Sequence, residues 1–310
     1  MKILFITNFY SGIQNSILNN KWNPEGMPAV YKLFEKLKEK KIYFDNIYFS
    51  DKHPNMMIRN DYLSNKNYIF QSKKGRLIPN IYSQLLKFLK IILYVKHYDI
   101  IYIDRANVMI GALLTILGRK VILRLHGVNS YFENYKSIFK SCLNIFNILS
   151  YRASFESIIC TEDGTPGTYF LKKYCNKNSK IYLMLNGVDK VKIRSEIDRG
   201  ALNINQDQLI VTFIGRLDNE KGIWDFIYSI EKLSPKNMIT GLIIGDGLLM
   251  KAISSYVKKK KIKNIIFIGA INHKDINSYL EISDIFISLN RLGNLCNTTL
   301  EAIGSEKCII

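Results

Sequence analysis

Short apolar runs and helix-length amphipathic stretches alternate along nearly all of this 310-residue chain, and the alternation runs twice. A short apolar run bounded by polar loops reads as a buried strand, and a longer stretch with apolar residues every three or four positions reads as a helix. Alternation of this kind leaves one main solution, βαβ units around parallel sheets. In the first half, strands are predicted at 2–7, 44–49, 99–104, 121–125, 157–160 and 180–183. Helices are predicted at 29–40, 81–95, 109–117, 135–152 and 165–173. A polar segment over 186–208 then reads as a linker. The second half repeats the pattern, with strands at 209–214, 240–244, 265–268, 284–288 and 308–310. Its helices are predicted at 223–233, 248–259, 274–282 and 298–305. The expected fold class is α/β, two tandem Rossmann-like doubly wound domains at 1–190 and 205–310. Ligands of such sheets bind outside the carboxyl ends of the strands, here in an interdomain cleft.

No apolar run approaches the roughly 20 residues of a membrane span. The start, Met1-Lys-Ile-Leu-Phe-Ile-Thr7, suits a first buried strand better than a signal peptide. The expectation is a cytoplasmic protein. Cys142, Cys160, Cys175, Cys296 and Cys308 are odd in number and form no C-x-x-C pair, so neither a disulfide framework nor a zinc site is expected. The net charge of +18 draws the chain toward anionic partners. Nucleic acid is disfavoured, because the basic residues do not interleave with aromatics along one face. An anionic membrane surface or a phosphorylated substrate remains. The apolar helix through 78–95, with Lys87, Lys90 and the following Lys96, suits a membrane interface, on the inner face of the cell membrane. A core-packed crossover helix is the commoner explanation.

Residues with chemistry collect at predicted strand ends. Ile214-Gly-Arg-Leu-Asp-Asn-Glu-Lys-Gly222 runs from a strand into a loop and then a helix. Arg216 offers a planar donor fork and Lys221 a mobile point charge, both suited to phosphate oxygens. The competing reading is a surface loop in which they pair with Asp218 and Glu220. Thr298-Thr-Leu-Glu301 opens a helix whose free N–H groups attract anions, and Glu301 is placed to accept ribose hydroxyls. The same spacing is a capping box, the better reading on spacing alone; Asn297 as cap would free Glu301. His126 follows a strand, precedes Gly127 and titrates near ~6.5 when unperturbed, although a single histidine is more often structural. Gly247, in Gly245-Asp-Gly247, and Gly26, in Asn23-Pro-Glu-Gly-Met-Pro28, permit close backbone approach. No G-x-G-x-x-G follows the first strand and no Walker motif is present, which argues against nicotinamide and P-loop chemistry.

Taken in order, His126-Gly127, Asn186-Gly-Val-Asp189, Gly215-Arg-Leu-x-x-Glu-Lys-Gly222, Gly245-Asp-Gly247, Phe267-Ile-Gly269, Ser283-Asp-Ile-Phe-Ile287 and Leu300-Glu-Ala302 resemble the family 4, or group 1, retaining glycosyltransferases of the GT-B fold. The resemblance implies transfer of a sugar from a nucleoside-diphosphate sugar to an acceptor hydroxyl. It assigns Arg216 and Lys221 to the donor diphosphate and Glu301 to the ribose. The backbone at Thr298 falls to the distal phosphate, Ile271 to the nucleobase side, Gly26 to the loop after the first strand, and His126 to the transferred sugar. It implies no cofactor, and Arg and Lys would do the work of a metal. The charge and the apolar helix extend the expectation to a lipid-linked or glycan acceptor in cell-envelope polysaccharide or glycolipid synthesis. Two departures stand out. Gly293 occupies the place of a usual glutamate, with Asn294 and Asn297 the candidates for its polar contact. The helix that follows the last strand in the family is missing, so the sequence reads as C-terminally truncated. An inactive sugar-nucleotide binder or truncated remnant is the alternative.

Overall fold

The structure, a computed structural model, describes residues 1–24, 28–72, 79–128, 145–188, 196–233, 238–291, 293 and 295–310. Two compact units emerge: Met1–Glu162 with Pro166–Leu185, and Asp163–Thr165 with Asn186–Ile310.

The first unit is built on an eight-stranded sheet. Its strands are β1 (Lys2–Asn8), β2 (Tyr43–Ser50), β3 (Met56–Asn60), β4 (Asn65–Gln71), β5 (Ile100–Asp104), β6 (Val121–Leu125), β7 (Ser157–Thr161) and β8 (Lys180–Met184), in the order β3-β4-β2-β1-β5-β6-β7-β8. All pairings are parallel except β3 with β4. Alternate side chains of β1 enter opposite cores: Leu4 and Ile6 join one, Ile3 and Phe5 the other. Helices α1 (Ser11–Leu18), α2 (Pro28–Glu39), α3 (Pro79–Ile91), α4 (Val108–Ile116), α5 (Ile145–Ser150) and α6 (Gly167–Tyr174) complete the unit. The predicted helix at 135–152 lies outside the described residues up to 144.

The predicted elements omit α1 and the β3–β4 hairpin. The hairpin is held by asparagines that read as loop: Asn46 Nδ2 donates to Asn67 Oδ1 at 2.8 Å, and Asn67 Nδ2 donates to Asn65 Oδ1 at 3.1 Å, all buried. At the other margin, β8 has a neighbour on one side only among the described strands, and all five of its residues are exposed.

The second unit has a five-stranded, all-parallel sheet: β9 (Leu209–Ile214), β10 (Ile239–Ile244), β11 (Ile265–Gly269), β12 (Ile285–Phe286) and β13 (Cys308–Ile309), ordered β11-β10-β9-β12-β13. Helices α7 (Ile223–Leu233), α8 (Met250–Lys260), α9 (Ile276–Ile282) and α10 (Asn297–Gly304) connect them. Both faces are packed, Phe213 and Ile243 on one side and Ile214 and Ile244 on the other. The winding reverses between β9 and β12, so their carboxyl ends border the crevice where ligands of this topology bind. Both units are doubly wound α/β, as the alternation predicts. Among the described residues no helix is long and apolar enough to cross a membrane.

Candidate functional site

The β9 run ends at Ile214 and the chain turns through Gly215–Gly222 into α7. Gly222 sits at φ +72°, and a Cβ there would lie 2.5 Å from the Leu289 carbonyl, so this turn needs glycine. The Gly245-Asp246-Gly247 loop after β10 packs on the same turn: Leu217 N donates to Asp246 O at 3.0 Å, and Leu249 N to Leu217 O at 3.0 Å. Gly247 therefore backs against Leu217 rather than standing free.

Lys221 and Arg216 differ in placement. The Lys221 side chain lies over Gly215, is half-buried, and projects its charge onto Cys296 at the start of α10. Arg216 is 71% exposed, with its guanidinium 3.1 Å from Asp218 and 3.7 Å from Glu220. For Arg216 the structure adopts the surface-loop pairing. Lys221 makes no ion pair among the described residues.

Helix α10 begins at Asn297, with Cys296 as its extended N-cap residue. Neither Thr298 nor Asn297 caps it, and Thr298-x-x-Glu301 does not form a capping box. The physical reason is that Thr298 already lies inside the helix, and Glu301 is engaged elsewhere: its Oε1 is 2.7 Å from Nε2 of His273, and its buried Oε2 has no hydrogen-bond partner among the described residues. Asn297 Oδ1 accepts from Asn186 Nδ2 at 2.9 Å. The Cys296 Sγ lies 3.1 Å and 3.2 Å from the Thr298 and Thr299 hydroxyls. Burial alone would raise its pKa, but these hydroxyls, the Thr299 amide and the Lys221 charge together hold it below the usual thiol value. The start of α10 is thus a field that favours negative charge. Ile271, after β11, is half-buried against the neighbouring core.

The loop between β12 and α10 carries the Gly293 departure in its backbone. Gly293 has φ +145°, and a Cβ there would lie 2.6 Å from the Asp163 carbonyl. Leu295 N donates to that same carbonyl at 3.1 Å. A glutamate cannot occupy this position without moving the loop. Asn294 and Gly26 lie outside the described residues.

In the first unit, His126 follows β6 and lines a small cavity with Tyr10, Tyr102 and Asp104. Arg105 Nη1 donates to the Gly127 carbonyl at 2.6 Å, pinning the turn. Arg124 is 7% exposed; its Nη2 donates to Thr161 Oγ1 at 2.7 Å, while Nη1 has no partner among the described residues. Loss of hydration, then the charges of Arg124 and Arg105, push the His126 pKa down to about 4. The ring is exposed by area yet closely surrounded by protein. With water at one edge, the downward direction rests on the two guanidinium charges more than on lost hydration. Asp104, fully buried, is pushed up by burial despite hydrogen bonds from Tyr10, Asn107 and the Asn8 backbone and the nearby Lys87 charge.

The structure therefore brings Lys221, Asn297, Thr298 and Glu301 to one edge of the second unit, with Gly247 and Ile271 on loops of that edge. It leaves Arg216 on its own carboxylates and His126 on the first unit. Spacing gives no sign of His273 as the partner of Glu301, of Cys296 as the cap residue, or of the buried Arg124. Among the described residues no group of three or more His, Cys, Asp or Glu is arranged to hold a metal.

Residues 194–310 match the family described as glycosyl transferases group 1. The uncharacterized glycosyltransferase MJ1059 of Methanocaldococcus jannaschii is 25% identical over 295 residues, spanning 91% of this chain and 70% of the relative. Among solved structures, Anabaena Alr3699/HepE in complex with UDP superposes with a TM-score of 0.70 at 17% identity, over 100% of this chain and 80% of its own. Sucrose-phosphate synthase from Thermosynechococcus elongatus gives 0.73 at 14% identity, with the same coverage. Residues 194–310 are thus similar to the group 1 glycosyl transferases, and the chain as a whole has the GT-B fold.

Proposed function

We propose that this protein is a retaining glycosyltransferase that moves a sugar from a nucleoside-diphosphate sugar to an acceptor hydroxyl. The observation that carries the reading is the meeting of Lys221, the N-terminus of α10 and Glu301 at the switch point of the second sheet. Helix amides and Lys221 would receive the diphosphate, with Arg216 exchanging Asp218 and Glu220 for a phosphate oxygen. The unpaired Oε2 of Glu301 wants a donor. A ribose hydroxyl would satisfy it after a turn of the carboxylate about its last torsion, which is soft. The complex of HepE with UDP makes a uridine nucleotide the first to try.

In the reaction the bond between the anomeric carbon and the diphosphate oxygen breaks as charge builds on the leaving group. Preorganised amides and cations stabilise that charge. The acceptor oxygen bonds the anomeric carbon on the same face, and its proton passes to the departing phosphate. The resemblance assigns His126 to the transferred sugar, and its imidazole would be neutral at pH 7. The +18 charge supports an acceptor held at an anionic surface, a lipid-linked glycan or glycolipid of the cell envelope. The test is a thermal-shift panel of UDP, GDP, ADP and CDP sugars, followed by an assay for nucleoside diphosphate release. A stabilising donor that is turned over supports the reading; no stabilisation by any of them overturns it.

Gly293 favours a second reading. With a glutamate sterically excluded there, the domain would bind a sugar nucleotide without catalysis. Stabilisation by a donor with no release of diphosphate, with or without acceptor lipids, selects that reading.

A further inference from the structure

Helix α3 buries Ile91 and packs Phe88 on the core, but it shares that inner face with polar side chains. Its polar residues Gln84 and Lys87 face the protein: Gln84 Nε2 donates to the Ala106 carbonyl at 3.2 Å, and the Lys87 ammonium sits 4.7 Å from the centre of the Phe49 ring. Burial lowers the Lys87 pKa. The outward side is largely apolar as well, with Ile81, Tyr82, Leu85, Leu86, Leu89 and the following Leu93 all exposed beside Lys90. The core-packing explanation of this helix therefore holds for its inner face and leaves the broad outer stripe unexplained, since an ordinary crossover helix is polar on that side.

The stripe does not end with α3. Ile116 and Leu117, at the end of α4, are 78% and 51% exposed, and Ile145, Phe146 and Leu149 on α5 are exposed as well. Between the three helices runs a groove of about 570 Å³, lined mainly by their apolar side chains, with Arg152 among the residues on its wall. A continuous apolar face of this kind marks a contact surface. Of the seven Lys and Arg in residues 79–128, Lys87 turns inward and Arg124 is buried, while Lys90, Lys96 and Lys120 are exposed; the two acidic residues are the exposed Asp99 and the buried Asp104. Charge chooses the occupant. Two copies meeting through this face would set like charges opposite one another, and protein interface centres are depleted in lysine. An anionic bilayer satisfies both features, because cations reach headgroups while Leu, Ile, Tyr and Phe enter the acyl boundary.

We propose that the α3–α4–α5 face docks this protein on an anionic membrane, with a hydrocarbon chain of one lipid seated in the groove. The proposal deepens the membrane-held acceptor reading above, and it stands on residues separate from the nucleotide site. Flotation with phosphatidylglycerol-containing vesicles, against pure phosphatidylcholine, tests it. The protein should float with the anionic vesicles and stay behind with the neutral ones. Leu85→Gln combined with Leu89→Gln, both at exposed positions, should cut binding about tenfold or more, while leaving the thermal shift by a nucleotide unchanged. That parallel readout separates loss of the docking face from failure of the donor reading. A Tyr82→Trp variant, folded as wild type, should lose its added fluorescence when vesicles carry lipids brominated in the chain. Wild-type protein left in the soluble fraction at low salt overturns the proposal, as does equal flotation of the double variant. Absence of quenching at position 82 overturns it even if the double variant does not fold. A concentration-dependent dimer in lipid-free solution that the double variant abolishes assigns the face to a second copy instead.

Discussion

Two cations five residues apart in one loop are set up differently, and their replacements should separate. Lys221 lacks an ion-pair partner among the described residues and faces the start of α10. Lys221→Ala should weaken UDP binding by about 1.5–3 kcal/mol, the worth of a charge-assisted contact, with little change in folding stability. Arg216→Ala should cost a similar amount of binding if the exposed guanidinium leaves Asp218 and Glu220 for phosphate, since such pairs at a surface are worth only about 0–1 kcal/mol. Titration calorimetry reads both; unchanged affinity in the two variants removes these residues from the site. For His126 the expected pKa is about 4, so the imidazole is neutral at pH 7. The unfolded chain then binds more protons than the folded one between about pH 6.5 and pH 4. The His126 contribution to stability is complete above that window and is lost as pH falls through it. Arg105→Gln should move the His126 resonance toward an ordinary titration in a proton–nitrogen NMR series, and a wild-type midpoint near ~6.5 contradicts the arrangement. The strand-end positions of His126 and Lys221 were legible because an apolar run points to its own end. Glu301 and His273 are 28 residues apart, and Arg124 and Thr161 are 37 apart; only folding pairs them.

Elements show a different limit. Helix α3 announces its amphipathicity in its spacing, but periodicity does not say which face turns inward; here Gln84 and Lys87 take the inner side. The β3–β4 hairpin was illegible for another reason. Asn60, Asn65 and Asn67 are loop formers by habit, yet they are buried: Asn67 donates to Asn65, and Asn60 accepts from the Leu63 amide. Strands β9 and β10 were easy by comparison, since both faces are covered and the runs are apolar but for Thr212, Thr240 and Gly241. The loop into α10 combines both situations: the glycine at 293 is visible, but its closeness to the Asp163 carbonyl is not. Gly293→Ala should destabilise the protein by about 1–3 kcal/mol, through a left-handed backbone and a displaced carbonyl. Urea unfolding measures it. An unchanged midpoint implies that the loop shifts freely, and then Gly293→Glu is no longer barred by the backbone.

At the scale of the molecule, each unit carries its own pair of cores, as two runs of βα alternation imply. Hydrogen exchange with and without UDP should place new protection at 215–222, 245–249 and 295–301, on the second unit. Protection confined to the first unit is incompatible with a donor site at the β9–β12 switch point. The first sheet also ends in β8, whose Ile181, Tyr182, Leu183 and Met184 are exposed and whose outer row of peptide groups pairs with no strand among the described residues. That row is a template for a strand from another molecule. Warming the protein should therefore produce intermolecular sheet, seen as a low-frequency amide band in the infrared, before its own helices melt. A lysine in place of Tyr182 should delay the onset by giving each template a charge that repels its copy.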